Sequence, residues 1–307
     1  DRMDDEVTYT ASMDGKIEMQ NDRIVVLPVH EVSGNAELAE GNIDFRGDIV
    51  IHGNVESGVN IRATGSITID GVAEACMLEA GKDIILRGGM LGGNKASVKT
   101  KGAITAKFFE FTNILCEGDL QADVLMDCSV ICHGQIRLTG RKGSIIGGKV
   151  QAIRGLIATS LGNDAEKRTE IFVGAGIDVY SRLRVMEKKI EMTREELAKI
   201  EEGLEKFEIL SKERGVSYTN DPRRTSLLRI KIKDSAMLAS DEEEVRKLRI
   251  LAESSKGACV SVLQEIYPGV IINMDELKLA LKNMATGVEF YKLPDKIGTR
   301  PCSAGVE

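Results

Sequence analysis

The feature that most limits how this chain can fold is a short alternating motif: apolar, any, small, any, often glycine, any, apolar. It reads Ile43-x-Phe45-x-Gly47-x-Ile49, Ile61-x-Ala63-x-Gly65-x-Ile67, Leu78-x-Ala80-x-Lys82-x-Ile84 and Val98-x-Thr100-x-Gly102-x-Ile104. It continues as Ile114-x-Cys116-x-Gly118-x-Leu120, Val130-x-Cys132-x-Gly134-x-Ile136, Val150-x-Ala152-x-Arg154-x-Leu156 and Ile171-x-Val173-x-Ala175-x-Ile177. The final apolar positions are spaced by 18, 17, 20, 16, 16, 20 and 21 residues, and Val32 fits as a ninth, earlier member. Period-two alternation means strands with one buried side. A repeat this short suits one coil of a β-solenoid, in which equivalent residues stack about 4.8 Å apart on neighbouring coils.

The columns then make physical sense. Ile61, Leu78, Val98, Ile114, Val130 and Val150 form an apolar ladder, and Ala63, Ala80, Thr100, Cys116, Cys132 and Ala152 a small one, as a narrow packed core requires. Of the 31 glycines, 23 fall between Val32 and Val179, and none of the five prolines does. Proline would remove ladder donors, so its absence supports the repeat. The six-residue rhythm of Ile43, Ile49, Val55, Ile61, Ile67 and Ala73 suggests a left-handed hexapeptide coil, but it fails afterwards. Shifting coil lengths favour a right-handed parallel β-helix of about nine coils over residues 32–180.

From Ser181 the period changes. Leu183, Met186, Ile190, Leu197, Ile200, Leu204 and Phe207 recur at helical spacing, with Thr193 the polar interruption. Gly215 to Asp221 reads as a turn, Pro222 as the start of a second helix, and Leu227, Ile230, Met237, Leu238, Val245, Leu248 and Leu251 as its stripe. Residues 181–256 are thus expected to form an antiparallel coiled-coil hairpin, about 45 Å long. The pattern returns to strand in 257–294, including Asp275 to Met284, and this short C-terminal β segment is expected to pack on the solenoid. Residues 295–307 read as a mobile tail, and the chain begins at Asp1 without a methionine, as a fragment would.

Composition narrows the function. The net charge is −7 and the pI about 5.3, which argues against a dedicated nucleic-acid binder. No apolar run reaches the roughly 18 residues of a membrane span. Gly143-Ser-Ile-Ile-Gly-Gly148-Lys149-Val150 nearly matches a phosphate-binding loop, but Val150 replaces the metal-binding hydroxyl and a strand follows instead of a helix. Gly88-Gly-Met-Leu-Gly-Gly93-Asn94-Lys95 occupies the same place in another long coil, and both read as repeat loops. Cys128-x3-Cys132-His133 departs from zinc-knuckle spacing. Cys116 and Cys132 share the small column, within reach of a disulfide, but they and Cys76, Cys128, Cys259 and Cys302 read as reduced thiols. His52 is the one candidate base for a hexapeptide acyltransferase, whereas His30 and His133 lie elsewhere. Asp44, Asp48, Asp70, Asp83, Asp119, Asp123 and Asp127 form no tight carboxylate pair suited to sugar chemistry and read as a solvated face. No residue is therefore assigned a catalytic, cofactor or metal role.

The sequence resembles the flagellar assembly protein A (FapA) family of bacteria. The motifs that carry this are Gly41-Asn-Ile-Asp-Phe-Arg-Gly-Asp48, Arg87-Gly-Gly-Met-Leu-Gly-Gly93, Ala106-Lys-Phe-Phe109, Gly140-Arg-Lys-Gly-Ser-Ile-Ile-Gly-Gly148, Thr169-Glu-Ile-Phe-Val-Gly174 and Ile266-Tyr-Pro-Gly-Val-Ile271. The resemblance runs from about residue 10 to 293, and against the full family pattern residues 1–31 read as the remnant of an N-terminal domain. It implies a right-handed β-helix with an inserted helical hairpin, in a cytoplasmic, non-enzymatic scaffold linked to flagellar assembly and cell-pole organisation. It also implies protein partners, one type being the unphosphorylated glucose-specific EIIA protein of the phosphotransferase system. Two other readings stay open: a polymer-forming or cell-division β-helix like bactofilins or MinC, which would make it a homo-oligomer, and a hexapeptide-type acyltransferase.

Overall fold

Alternating strands become stacked walls. In the computed structural model, which describes residues 16–20, 23–140 and 142–302, successive strands of each coil join different walls and pair in parallel with their counterparts one coil on. One wall stacks Ile43, Ile61, Leu78, Val98, Ile114, Val130, Val150, Ile171 and Ile272 in register, with the small column Ala63, Ala80, Thr100, Cys116, Cys132 and Ala152 beside it. Phe45 opens that small column and Met274 closes it, so larger side chains fill the two ends. A second wall stacks Ile49, Ile67, Ile84, Ile104, Leu120, Ile136, Leu156 and Val260. The third stacks Val55, Ala73, Met90, Phe109, Leu125, Ile145, Leu161 and Ile266. These inward columns make up one dry core.

The chain makes about eight turns, one fewer than the repeat count suggests. The difference lies at the last motif. Position 177 belongs to a helix beginning at Gly176, and the strand that follows Leu156 on the second wall is Cys259–Ile266. The chain therefore leaves the solenoid after Val173 and resumes its coil only after the helices. Val32 is also displaced from its expected column, stacking beside Ile51 while His30 stacks beside Ile49.

Side-chain bonds between coils explain the recurring glycines. Asp48 Oδ1 accepts from the Ser66 amide (2.7 Å), Asn54 Oδ1 from Val72 (2.8 Å), Asp83 Oδ1 from Ala103 (2.7 Å) and Asp119 Oδ1 from Gln135 (2.8 Å). Each acceptor oxygen occupies the space that a Cβ would take at Gly65, Gly71, Gly102 or Gly134. Aspartate or asparagine on one coil thus requires glycine on the next. These aspartates are not a free solvated face, because each bonds the adjacent coil. Asp119→Ala is expected to lower stability in urea titration by about 1 kcal/mol, the net worth of one such bond. Asp119→Asn, which keeps Oδ1, should lose well under half of that. Equal losses would instead assign the effect to the ion pair of Asp119 with Arg154 (3.4 Å).

The C-terminal residues finish the solenoid. Cys259–Ile266 and Val270–Met274 add parallel strands to all three walls, and Leu277–Ala280 and Ala285–Lys292 then pair antiparallel to them. Residues 297–301, expected within a mobile tail, form a further antiparallel strand on Ala285–Lys292. Antiparallel strands that end a parallel ladder stop it from offering the same edge again. At the other end Lys16–Gln20 and Arg23–Leu27 form a hairpin, and the parallel ladder already begins at Val29. The expectation for residues 1–15 lies outside the described residues.

Residues 175–256 form a separate unit of two helices. Helix α1 (Gly176–Arg214) ends at Gly215 in the left-handed conformation (φ 60°). Helix α2 (Pro222–Ser254) starts with Pro222 after Asp221, whose side chain accepts from the Arg223 amide (2.8 Å). Ion pairs Glu187–Arg249 (2.6 Å), Arg194–Glu242 (2.6 Å) and Glu201–Lys231 (2.7 Å) show that the helices run antiparallel. Ile190, Val245 and Leu248 are buried in the seam. Ile230 and Met237, expected in the stripe, are 43% and 38% exposed. Each lies one residue off the seam defined by Leu238, Asp241, Val245 and Leu248. Thr193 and Asp241 are buried polar residues, and Lys189 Nζ approaches Asp241 Oδ2 at 2.8 Å. A polar residue such as Asp241 in an otherwise apolar seam fixes helix register at some expense of stability.

Candidate interaction faces

The groups best suited to chemistry are occupied in joining coils. His52 Nδ1 lies 2.9 Å from Asp70 Oδ2, and Arg87 Nε lies 3.3 Å from Asp70 Oδ1. All follow the second-wall strands on successive coils, because Ile51, Ile69 and Leu86 are in register. The His52–Asp70 pair is partly exposed, and its hydrogen bond joins side chains of adjacent coils. His30 packs its ring against Phe45 at 5.5 Å.

The cysteines divide into core and rim. Cys76, Cys116, Cys128 and Cys132 are buried free thiols, and Cys259 and Cys302 are half-buried. Cys116 and Cys132 are direct partners on adjacent strands. Cys132 Sγ donates to the Gly118 carbonyl (3.2 Å) and Cys128 Sγ to that of Met126 (3.3 Å). Among the described residues no group of three or more His, Cys, Asp or Glu side chains is placed to hold a metal ion, so Cys128, Cys132 and His133 do not converge as a zinc set would. Burial pushes the Cys76 thiol up to about 12 and the Cys128 thiol up to about 11. Hydrogen bonding with Cys132, then burial, drives the Cys116 thiol strongly upward. A raised thiol pKa favours the neutral folded form, so this stability is whole below about pH 9 and is lost as pH climbs toward 11 and 12. At pH 8 a thiol reagent is expected to modify only Cys259 and Cys302 in the folded chain. Rapid modification of Cys116 or Cys132 without denaturant would contradict the closed core.

The near match to a phosphate loop is a corner. Ser144–Ile146 and Gly148–Ala152 are strands, separated by Gly147. Gly147 and Gly148 have φ of 73° and 77°, and a Cβ at Gly148 would lie 2.2 Å from the Cys128 carbonyl oxygen. Lys149 Nζ lies over the Phe172 ring at 4.5 Å. Gly88–Lys95 likewise enters a strand, Met90–Thr100, whose register shifts between Leu91 and Ala96.

Two features escaped the sequence reading because strands separate in sequence build each of them. A hollow of about 340 Å³ is lined by Lys107, Phe108, Val124, Met126 and Lys142. Ser261 and Glu289 are buried beneath Arg300, with Glu289 Oε1 accepting from Arg300 Nε (2.7 Å) and Oε2 from Ser261 Oγ (3.3 Å). Their alternation with core residues was the available signal for the second feature. For the hollow there was none, since it depends on which coils are neighbours.

Stacked parallel coils, coil-to-coil aspartate bonds and a helical excursion between two walls define a β-solenoid protein with an inserted helical unit. Residues 28–297 match the Flagellar Assembly Protein A beta solenoid domain, and the chain belongs to this FapA family. No curated protein and no solved structure is similar enough to match it. No helix among the described residues is long and apolar enough to cross a membrane.

Proposed function

We propose that this chain is a non-enzymatic, cytoplasmic scaffold of flagellar assembly that acts by binding other proteins. The observation carrying this reading is that His52, Asp48, Asp83, Asp119 and Cys132 are occupied in holding coils together. What remains for function is surface: stacked rows of side chains on the solenoid and the far end of the helical pair. There Ile209 and Val216 are 53% and 54% exposed, and Phe207 and Tyr218 pair their rings at 6.1 Å. A tip of this kind serves as a docking arm, and a phosphotransferase EIIA-type protein is the partner that family resemblance puts first. The antiparallel C-terminal strands weigh against end-to-end filament growth of the bactofilin kind.

Capture from a lysate of flagellated cells tests the reading. The parent chain should retain a defined set of proteins, and a chain carrying Ile209→Asp and Val216→Asp should lose at least one of them. An identical set on both chains would remove the helical tip from the proposal.

A further inference from the structure

The helical unit holds a glycine that its own packing does not require. Gly203 lies in the interior of α1, where glycine weakens a helix relative to alanine. A Cβ there would meet only the Leu227 side chain, at 3.4 Å, an ordinary contact. Alanine would therefore fit, and the gap that Gly203 leaves opens on the surface of the pair.

That gap belongs to an apolar face. Val185, Met192, Glu196, Gly203 and Leu210 follow one another at steps of seven, four, seven and seven residues, so they share one side of α1. Val185 and Met192 are 69% and 55% exposed. On α2 the exposed Ile230 and Met237 share a side with Lys233, Ser240 and Glu244. Both stripes lie about 100° from the seam in the same rotational sense, which in antiparallel helices brings them to one face. The opposite face is a groove with Ile190 and Val245 at its floor, and the ion pairs Glu187–Arg249 and Arg194–Glu242 bridge it.

The apolar face is complementary to itself under one two-fold rotation. The axis lies between the two facing copies and crosses the helices at right angles, at residues 197–198 of α1 and 236–237 of α2. These positions lie level, as the ion pairs Arg194–Glu242 and Glu201–Lys231 show. The rotation sets α1 against α1 and α2 against α2, each antiparallel. Val185 then meets Leu210 of the second copy, Met192 enters the gap at Gly203, and Glu196 faces Lys199. On α2, Met237 meets its counterpart at the axis, Lys233 faces Ser240, and Arg229 faces Glu244, which also holds Arg182 of its own chain. Lys189 falls opposite Lys206, but Asp241 already holds it at 2.8 Å. The other two-fold, running along the helices, sets α1 against α2 and brings Lys206 to Arg229 and Lys199 to Lys233. Charge therefore selects the first arrangement.

We propose that this face of the helical pair is a two-fold self-association surface whose occupant is a second copy of this chain, the four helices forming an antiparallel bundle. Residues 185–210 extend about 39 Å, and two helices side by side are about 20 Å wide. The covered area is about 800 Å² per copy, the size of a standard stable interface.

The test is sedimentation equilibrium of the full chain over a concentration series, in which the mass is expected to rise to twice the monomer's. Glu196→Lys alone and Lys199→Glu alone should each raise the dissociation constant about tenfold, because two contacts turn repulsive in each dimer. An equimolar mixture of the two variants should recover the doubled mass, since lysine at 196 of one chain then faces glutamate at 199 of the other. Damage to the fold would not produce that recovery. Gly203→Gln fills the gap with a better helix former, so it should hold or raise the helical circular dichroism signal while weakening association about tenfold. Three results overturn the proposal: a wild-type mass that stays at the monomer's throughout, variants that mix without recovery, or a Gly203→Gln chain that associates as tightly as wild type.

Discussion

Phe109→Ala is expected to be the most damaging single truncation in the solenoid, at about 3–5 kcal/mol by denaturant titration. Phe109 is fully buried and is among the largest such side chains. On the third wall it lies between Met90 of the coil before and Leu125 of the coil after. Parallel ladders on both sides hold those two strands at fixed spacing, so the wall cannot collapse into the space left by the ring. Phe109→Leu, which keeps most of the volume, should cost less than half as much. A loss below about 1 kcal/mol for the alanine variant would mean that the coils slide to refill the cavity.

Gly148→Ala should be comparably severe despite adding one methyl group. The residue combines φ of 77° with a Cβ position 2.2 Å from the Cys128 carbonyl oxygen. That oxygen also accepts the Lys149 amide (2.9 Å), so moving it away breaks a ladder bond. Gly93→Ala separates the two causes. Gly93 has φ of 54° but open space around its Cβ position, so only the left-handed penalty of about 1–2 kcal/mol applies. Gly148→Ala should exceed that by at least about 1 kcal/mol in the same titration, since the steric clash adds to it. Equal losses would show that conformation alone matters at this corner.

Much of this architecture was legible because a solenoid repeats its instruction. Leu78, Val98, Ile114 and Val130 recur in phase, so the columns could be written down before their partners were known. The last repeat misled for a local reason. Ile171-x-Val173-x-Ala175 keeps the alternation up to the N-cap of α1, and the departure is marked only by Gly174 and Gly176, at φ of 100° and 73°. In α2, Ile230 and Met237 drew the stripe one residue off the seam, because the true seam includes the polar Asp241. The aspartates looked like scattered surface charge although a signal was present. Asp48 with Gly65, Asn54 with Gly71, Asp83 with Gly102, and Asp119 with Gly134 each follow at about one coil's distance. Charge pairs such as Arg62 with Glu79 offered no such signal, since their meaning depends on which outward positions become neighbours.

The corner between the first and second walls holds a consequence for how such proteins change over time. At this corner Asp48, Asp83 and Asp119 each reach the backbone of the next coil, so alignment is restored at alternate turns. It is also where the chain departs after Val173 and returns at Cys259. Insertions here are tolerated because a later coil reads its register from its neighbour, not from the length of chain between them. The corner is thus a grafting point, where a binding module can be exchanged, lengthened or removed while the coils on either side keep their places.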